Sequence, residues 1–127
     1  MQFDYTVTTE KPFAEAVEAV QTALTERGFR IQFVHDIQAT LAEKGFTREP
    51  LTIIETCNAK HAHAVLAADP KIALMLPCPV LVYEQNGERF LSTLKPSVIG
   101  DFYPEADIGD AAVAVEEVLV EALRAAR

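Results

Sequence analysis

The chain has 127 residues, half of them apolar and about a quarter charged, enough for a single domain (residues 1–127) that buries a core without disulfide or metal staples. Its formal charge is -8, and its eleven lysines and arginines are scattered between Lys11 and Arg127, so it lacks the concentrated positive charge that nucleic acid or an anionic membrane surface requires. The opening Met1-Gln2-Phe3-Asp4-Tyr5 has no basic segment leading into an apolar run, and no apolar stretch is long enough to span a bilayer; both features predict a cytoplasmic protein whose two cysteines are reduced thiols.

Phe3, Tyr5 and Val7 alternate with polar residues and predict a first strand. Thr8-Thr9 followed by Pro12 reads as the cap and first turn of a helix whose stripe is Phe13, Val17, Val20 and Leu24, with Gly28 as its stop. Phe29, Ile31 and Phe33 alternate as a second strand, and Asp36 is placed to cap a short helix carrying Ile37 and Leu41 up to Gly45. Beyond Pro50, Leu51 to Thr56 predicts a third strand, and Asn58 caps a helix that runs to about Ala68. Ile72 to Met75 is ambiguous, at most one helical turn. Val80 to Tyr83 and the run after Asn86-Gly87 predict a tight hairpin, because a type I′ turn needs positive φ at both central residues. A final helix has an acidic first turn, Arg124 and Arg127 at its end, and one seam of Ile108, Ala112, Val115, Leu119, Ala122 and Ala126; Val113 and Val120 lie off that seam and leave room for a second contact. The sum is an α+β fold in the order β-α-β-α-β-α-β-β-α.

Chemistry concentrates at two cysteines. Cys57 immediately precedes the Asn58 cap, where the helix dipole and unpaired backbone N–H groups stabilise a thiolate, and Cys78 is held between Pro77 and Pro79 at the start of a strand. Antiparallel strands would bring both sulfurs to one end of the sheet, whereas parallel strands would leave them about 17 Å apart. The competing reading is that both are small buried hydrophobes. His61 and His63 look like a metal pair, yet two residues apart on a helix they point about 200° from one another and cannot share an ion. His63 could reach back to Cys57 as base or ligand, and a set of Cys57, Cys78 and His63, with Met75 more remote, would suit copper(I) or zinc; the spacing matches no established zinc pattern. Glu55 and Glu84 form a conceivable acid–base pair, more simply solvent-facing, and His35-Asp36 a conceivable oriented imidazole. The phosphate-cradling glycine loop, the Gly-x-Ser-x-Gly elbow and Cys-x-x-Cys are all missing from the sequence, so no nucleotide cofactor is expected.

The run Glu55-Thr56-Cys57-Asn58-Ala59-Lys60-His61-Ala62-His63, followed by Leu66, Ala68, Pro70, Ile72, Leu74, Leu76-Pro77-Cys78-Pro79-Val80 and Val82-Tyr83-Glu84, resembles the family called domain of unknown function 302, in its cysteine-containing subgroup. The resemblance implies an antiparallel-rich sheet of about five strands with helices mainly on one face, commonly a homodimer, and no agreed activity. It also singles out Cys57, Asn58, His63, Pro77 and Cys78; Ala59-Lys60 stand where such members often have prolines. Two functions follow as expectations. One is a thiol-based redox, sulfur-handling or soft-metal module using Cys57, Cys78 and His63. The other is a non-catalytic dimeric ligand- or protein-binding module with structural cysteines. A hydrolase using Glu55, Glu84 or His35 is a third and weaker reading.

Overall fold

The computed structural model describes residues 2–127. Five strands, β1 (Asp4–Thr9), β2 (Arg30–Asp36), β3 (Leu51–Cys57), β4 (Cys78–Gln85) and β5 (Glu88–Leu94), form one antiparallel sheet in the order β1-β5-β4-β3-β2. Helix α1 (Phe13–Glu26) carries the chain from one sheet edge to the other, and α5 (Gly109–Ala126) packs beside it. Between them and the sheet lies the main core of Val20, Leu24, Ile54, Val80, Val82, Leu91, Leu119 and Leu123. The α+β expectation, the antiparallel sheet and the packing of α1 and α5 on one face therefore hold.

Local chemistry explains most boundaries. Asp36 accepts from the Ala39 N–H at 2.9 Å and starts α2 (Ile37–Ala42), and Asn58 accepts from the His61 N–H at 3.0 Å and starts α3 (Ala59–Ala68). Asn86 and Gly87 have φ of 54° and 83°, the paired positive values that the β4–β5 turn needs. At Gly28, with φ of 86°, the Gly28 N–H donates to the Thr25 carbonyl and the Phe29 N–H to the Leu24 carbonyl. This Schellman stop turns Phe29 inward, where it is 3 % exposed.

Three expectations need correction. Thr8 and Thr9 do not cap α1: the Thr9 hydroxyl accepts from the Lys11 N–H, and the helix begins after Pro12 without a side-chain cap. A register shift between Ile31 and Phe33 breaks the alternation of β2, so Ile31 packs on the main core while Phe33 is 55 % exposed. A further helix, α4 (Ser97–Phe102), precedes α5. It is held by Glu116, whose carboxylate accepts from the Ser97 N–H at 3.1 Å and the Ser97 hydroxyl at 2.5 Å. The ambiguous segment resolves as a 3₁₀ turn, Pro70–Met75, followed by a cis Leu76–Pro77 bond. With α3, α4 and the start of α5 it closes a second, smaller core of Val65, Ile72, Ile99 and Ile108.

Candidate functional site

Two neighbouring features sit where β3 ends and α3 begins. The first is the cysteine pair. In the β3–β4 register Thr56 stands opposite Cys78, so Cys57 is displaced by one residue from direct pairing, with Cα atoms about 6 Å apart by strand geometry. Antiparallel pairing thus brings both cysteines to the same end of the sheet, and both are free thiols. Their environments differ. Cys78 shares the helix-covered face with Val80 and Val82 and is 4 % exposed, whereas Cys57 is half-buried as the last residue of its strand. Burial pushes the Cys78 thiol up, with a smaller push from Cys57, to about 11. Beside it Thr56, fully buried, donates its hydroxyl to the Arg30 carbonyl at 3.0 Å, so this part of the core has its polar atoms paired.

The second feature is a groove between α3 and α5, about 280 Å³ in volume, floored by Phe29 and walled by Ala64, Val115 and Val118. His61 lines it. The side chain is 6 % exposed, neither ring nitrogen has a hydrogen-bond partner, and burial pushes the imidazole below its ordinary value of 6.5, which keeps it neutral at pH 7. It is the one buried side chain among the described residues with unpaired nitrogen or oxygen atoms. Asn58 joins the two features, since it follows Cys57 directly, caps α3 through the His61 N–H and contributes to the groove lining.

The remaining candidates lie elsewhere. His63 is exposed, on the opposite side of α3 from His61, as the 200° separation requires. Among the described residues no three His, Cys, Asp or Glu side chains converge closely enough to hold a metal ion. Glu55 pairs in register with Pro79, five residues along β4 from Glu84, and Glu84 lies 3.8 Å from the Arg89 guanidinium. The two carboxylates are therefore about 17 Å apart and do not form a pair. Asp36 serves as the α2 cap, and His35 bonds Thr40 at 3.0 Å. His61 is the residue that sequence reasoning set aside. The available signal was its position four residues before Val65, the fully buried side chain of α3, which puts the two on one helix face.

A family model described as "Domain of unknown function DUF302" matches residues 5–126. Among solved structures, the crystal structure of an uncharacterized conserved DUF302 protein from Bacillus stearothermophilus is 27 % identical, covers all of both chains and superposes with a TM-score of 0.94. No curated protein matches the chain. No helix of the described residues is long and apolar enough to cross a membrane.

Proposed function

The chain belongs to the family described as domain of unknown function DUF302, and from that premise we propose that it is a dithiol redox module, with Cys57 as the attacking thiol and Cys78 as its resolving partner. The observation that carries the reading is the β3–β4 register, which leaves two free thiols one residue out of direct pairing. The estimated Cα separation falls within the range that disulfides span. Their unequal exposure suits unequal roles, the accessible thiol meeting the substrate and the buried one waiting behind it. In the proposed cycle the Cys57 thiolate attacks one sulfur of a low-molecular-weight disulfide, forms a mixed disulfide and expels one thiolate. Cys78, its proton passing to the thiolate expelled in the first exchange, then attacks the Cys57 sulfur, closes an intramolecular disulfide and expels the second thiolate. The substrate gains two electrons and the protein loses two. Strand alternation aims the two side chains toward opposite faces, so closure requires the backbone to move at Cys57, the last residue of its strand.

The test is alkylation of the folded, reduced protein at several pH values. Cys57 is expected to react faster than a free model thiol, with Cys78 protected until unfolding. A Cys57 rate no greater than that of the model thiol removes the reading. His63, exposed and turned away from His61, adds no support to a copper(I) or zinc site at Cys57, Cys78 and His63. A second reading, a homodimeric binding module with structural cysteines, is supported by the burial of Cys78 and by the unpaired His61. The exposed phenylalanines Phe3, Phe33 and Phe46 are candidates for the contact between its subunits. Replacing both cysteines without loss of cellular function would favour it.

A further inference from the structure

The two cysteines look out from different faces of the sheet. Helices α1 and α5 pack on the face that carries Val80 and Val82, which is also the face of Cys78 and of the fully buried Thr56. Cys57, the next residue after Thr56, therefore points to the other face, with Ile53 and Glu55. Directly across from Cys57 on the edge strand β2 stands Arg30, and the next pair of the ladder is Ile31 with Thr56. Ile31 packs on the main core, so Arg30 shares the face of Cys57. Residues opposed across antiparallel strands have Cβ atoms about 5 Å apart, which puts the Arg30 guanidinium within reach of whatever binds at the Cys57 sulfur.

Arg30 is also the arginine without a partner. Arg27 donates to the Ala23 carbonyl, Arg48 to the Glu49 carbonyl, Arg89 to the Lys11 carbonyl, Arg124 to the Tyr5 hydroxyl and Arg127 to the Thr8 carbonyl. The exposed Arg30 side chain makes no hydrogen bond, and the ion pairs among the described residues join Lys71 to Asp69 and Arg89 to Glu84. Glu55, the carboxylate of β3 on the same face, stands opposite Phe33 and Pro79 and does not neutralise Arg30 through an ion pair. A guanidinium presents its N–H donors in a planar fork that matches a carboxylate. With a net charge of -8 the chain as a whole repels anions, so attraction of a negative group to Cys57 must be local, and Arg30 is placed to supply it.

We propose that Arg30 sets the substrate class of the thiol site: the low-molecular-weight disulfide attacked by Cys57 carries a carboxylate close to its sulfur, and Arg30 holds that carboxylate during the exchange. This rests on the dithiol reading above and adds a charge requirement to it. The exchange needs no further reactant. A bond forms between the Cys57 sulfur and the carboxylate-bearing half as the substrate sulfur–sulfur bond breaks, and the other half leaves as a thiolate with the electron pair. The retained half stays against Arg30 as the mixed disulfide until Cys78 displaces it. Arg30 thus selects between disulfides and takes no part in the electron transfer.

The experiment measures the rate at which Cys57 of the whole, reduced protein is consumed by dithiodipropionate, an anionic disulfide, by neutral hydroxyethyl disulfide and by cationic cystamine. Each rate is divided by that of mercaptoethanol with the same probe, which removes the intrinsic reactivity of the disulfide. In Arg30→Gln the ratio of the dithiodipropionate rate to the cystamine rate should fall about fivefold. A change common to all three probes reports on the thiol itself and cancels in that ratio. Arg30→Gln keeps the backbone carbonyl that accepts from Thr56, so the strand pairing is retained. Arg30→Lys should preserve the preference in part, as a point charge without the planar fork. Lys60→Gln removes the same charge from the first turn of α3, on the groove side, and should leave the ratio near its wild-type value. The proposal is overturned if Arg30→Gln leaves the ratio unchanged, or if Lys60→Gln lowers it equally. Those results, with Cys57 still faster than the model thiol, remove Arg30 alone and leave the dithiol reading standing. Reaction with all three probes no faster than the model thiol removes the dithiol reading and the role of Arg30 with it.

Discussion

The cysteine pair and the His61 groove lie side by side, yet they depart from an ordinary core in opposite ways. Around Cys78 the packing is complete: Val80 and Val82 continue its face, Thr56 opposite it is hydrogen-bonded, and the thiol stays protonated because burial disfavours its charged form. Around His61, which borders the groove, two ring nitrogens are left unmatched and closed off from solvent. A reactive residue type can therefore be well accommodated by the fold, while a residue that looks incidental bears the unbalanced interaction. The thiol reading depends on relative position, Cys57 against Cys78, and the groove depends on an unmet hydrogen-bonding need.

Alkaline titration should show the largest contrast. The Cys78 thiol holds its proton to about 11 in the folded protein against 9.0 in the unfolded chain, so the folded state binds more protons between those values. Its contribution is fully present below pH 9 and is lost as pH rises to 11, a change of roughly 3 kcal/mol at about 1.4 kcal/mol per unit. Denaturant midpoints measured across this window for the wild type and Cys78→Val should diverge, the variant lacking that part of the slope. Parallel profiles would mean that the thiol is less sequestered than its burial indicates.

A smaller effect, of opposite sign, is expected at His61. His61→Leu removes two unmatched nitrogens at similar volume and should stabilise the protein by about 1–2 kcal/mol. The folded-state imidazole lies below 6.5, so the unfolded chain binds more protons as pH falls below that value, and stability declines with acid. His61→Leu should remove that acid slope, as measured by thermal or denaturant unfolding from neutral pH downward. Destabilisation by this substitution would show that the ring is matched after all.

Asn58→Ala tests the link between the two features. Loss of the cap to the His61 N–H should cost about 1 kcal/mol in unfolding experiments and loosen the first turn of α3. His63→Ala, at an exposed helix position, should change stability by less than about 0.5 kcal/mol and leave alkylation of Cys57 unchanged. A marked fall in Cys57 reactivity would instead restore His63 to the site.

Much of the fold was legible because its signals are local. Asp36 and Asn58 as caps, Gly28 as a stop and Asn86-Gly87 as a hairpin turn each depend on a few neighbouring residues. The seam from Ile108 to Ala126 depends only on helical period, and Ala112, Leu119, Ala122 and Ala126 are all buried. What escaped depends on distant partners. The β2 irregularity arises from pairing with β3, and α4 starts where Glu116, nineteen residues beyond Ser97, supplies its acceptor. The antiparallel option for the two cysteines could be named in advance, but choosing it required the strand order. The two histidines of α3 illustrate the limit most clearly: helical period places them on opposite sides, while only the packing of Val65 against Ile72 and Ile99 decides which one turns inward.

The most direct test of the central claim is peptide mapping of the wild-type protein after incubation with one equivalent of a low-molecular-weight disulfide, without denaturant. The dithiol account predicts a monomeric product that has lost two hydrogens and yields a single cross-linked peptide joining Cys57 to Cys78, with two equivalents of small thiol released. A stable adduct on Cys57 beside an unmodified Cys78, or an unchanged protein, would contradict it.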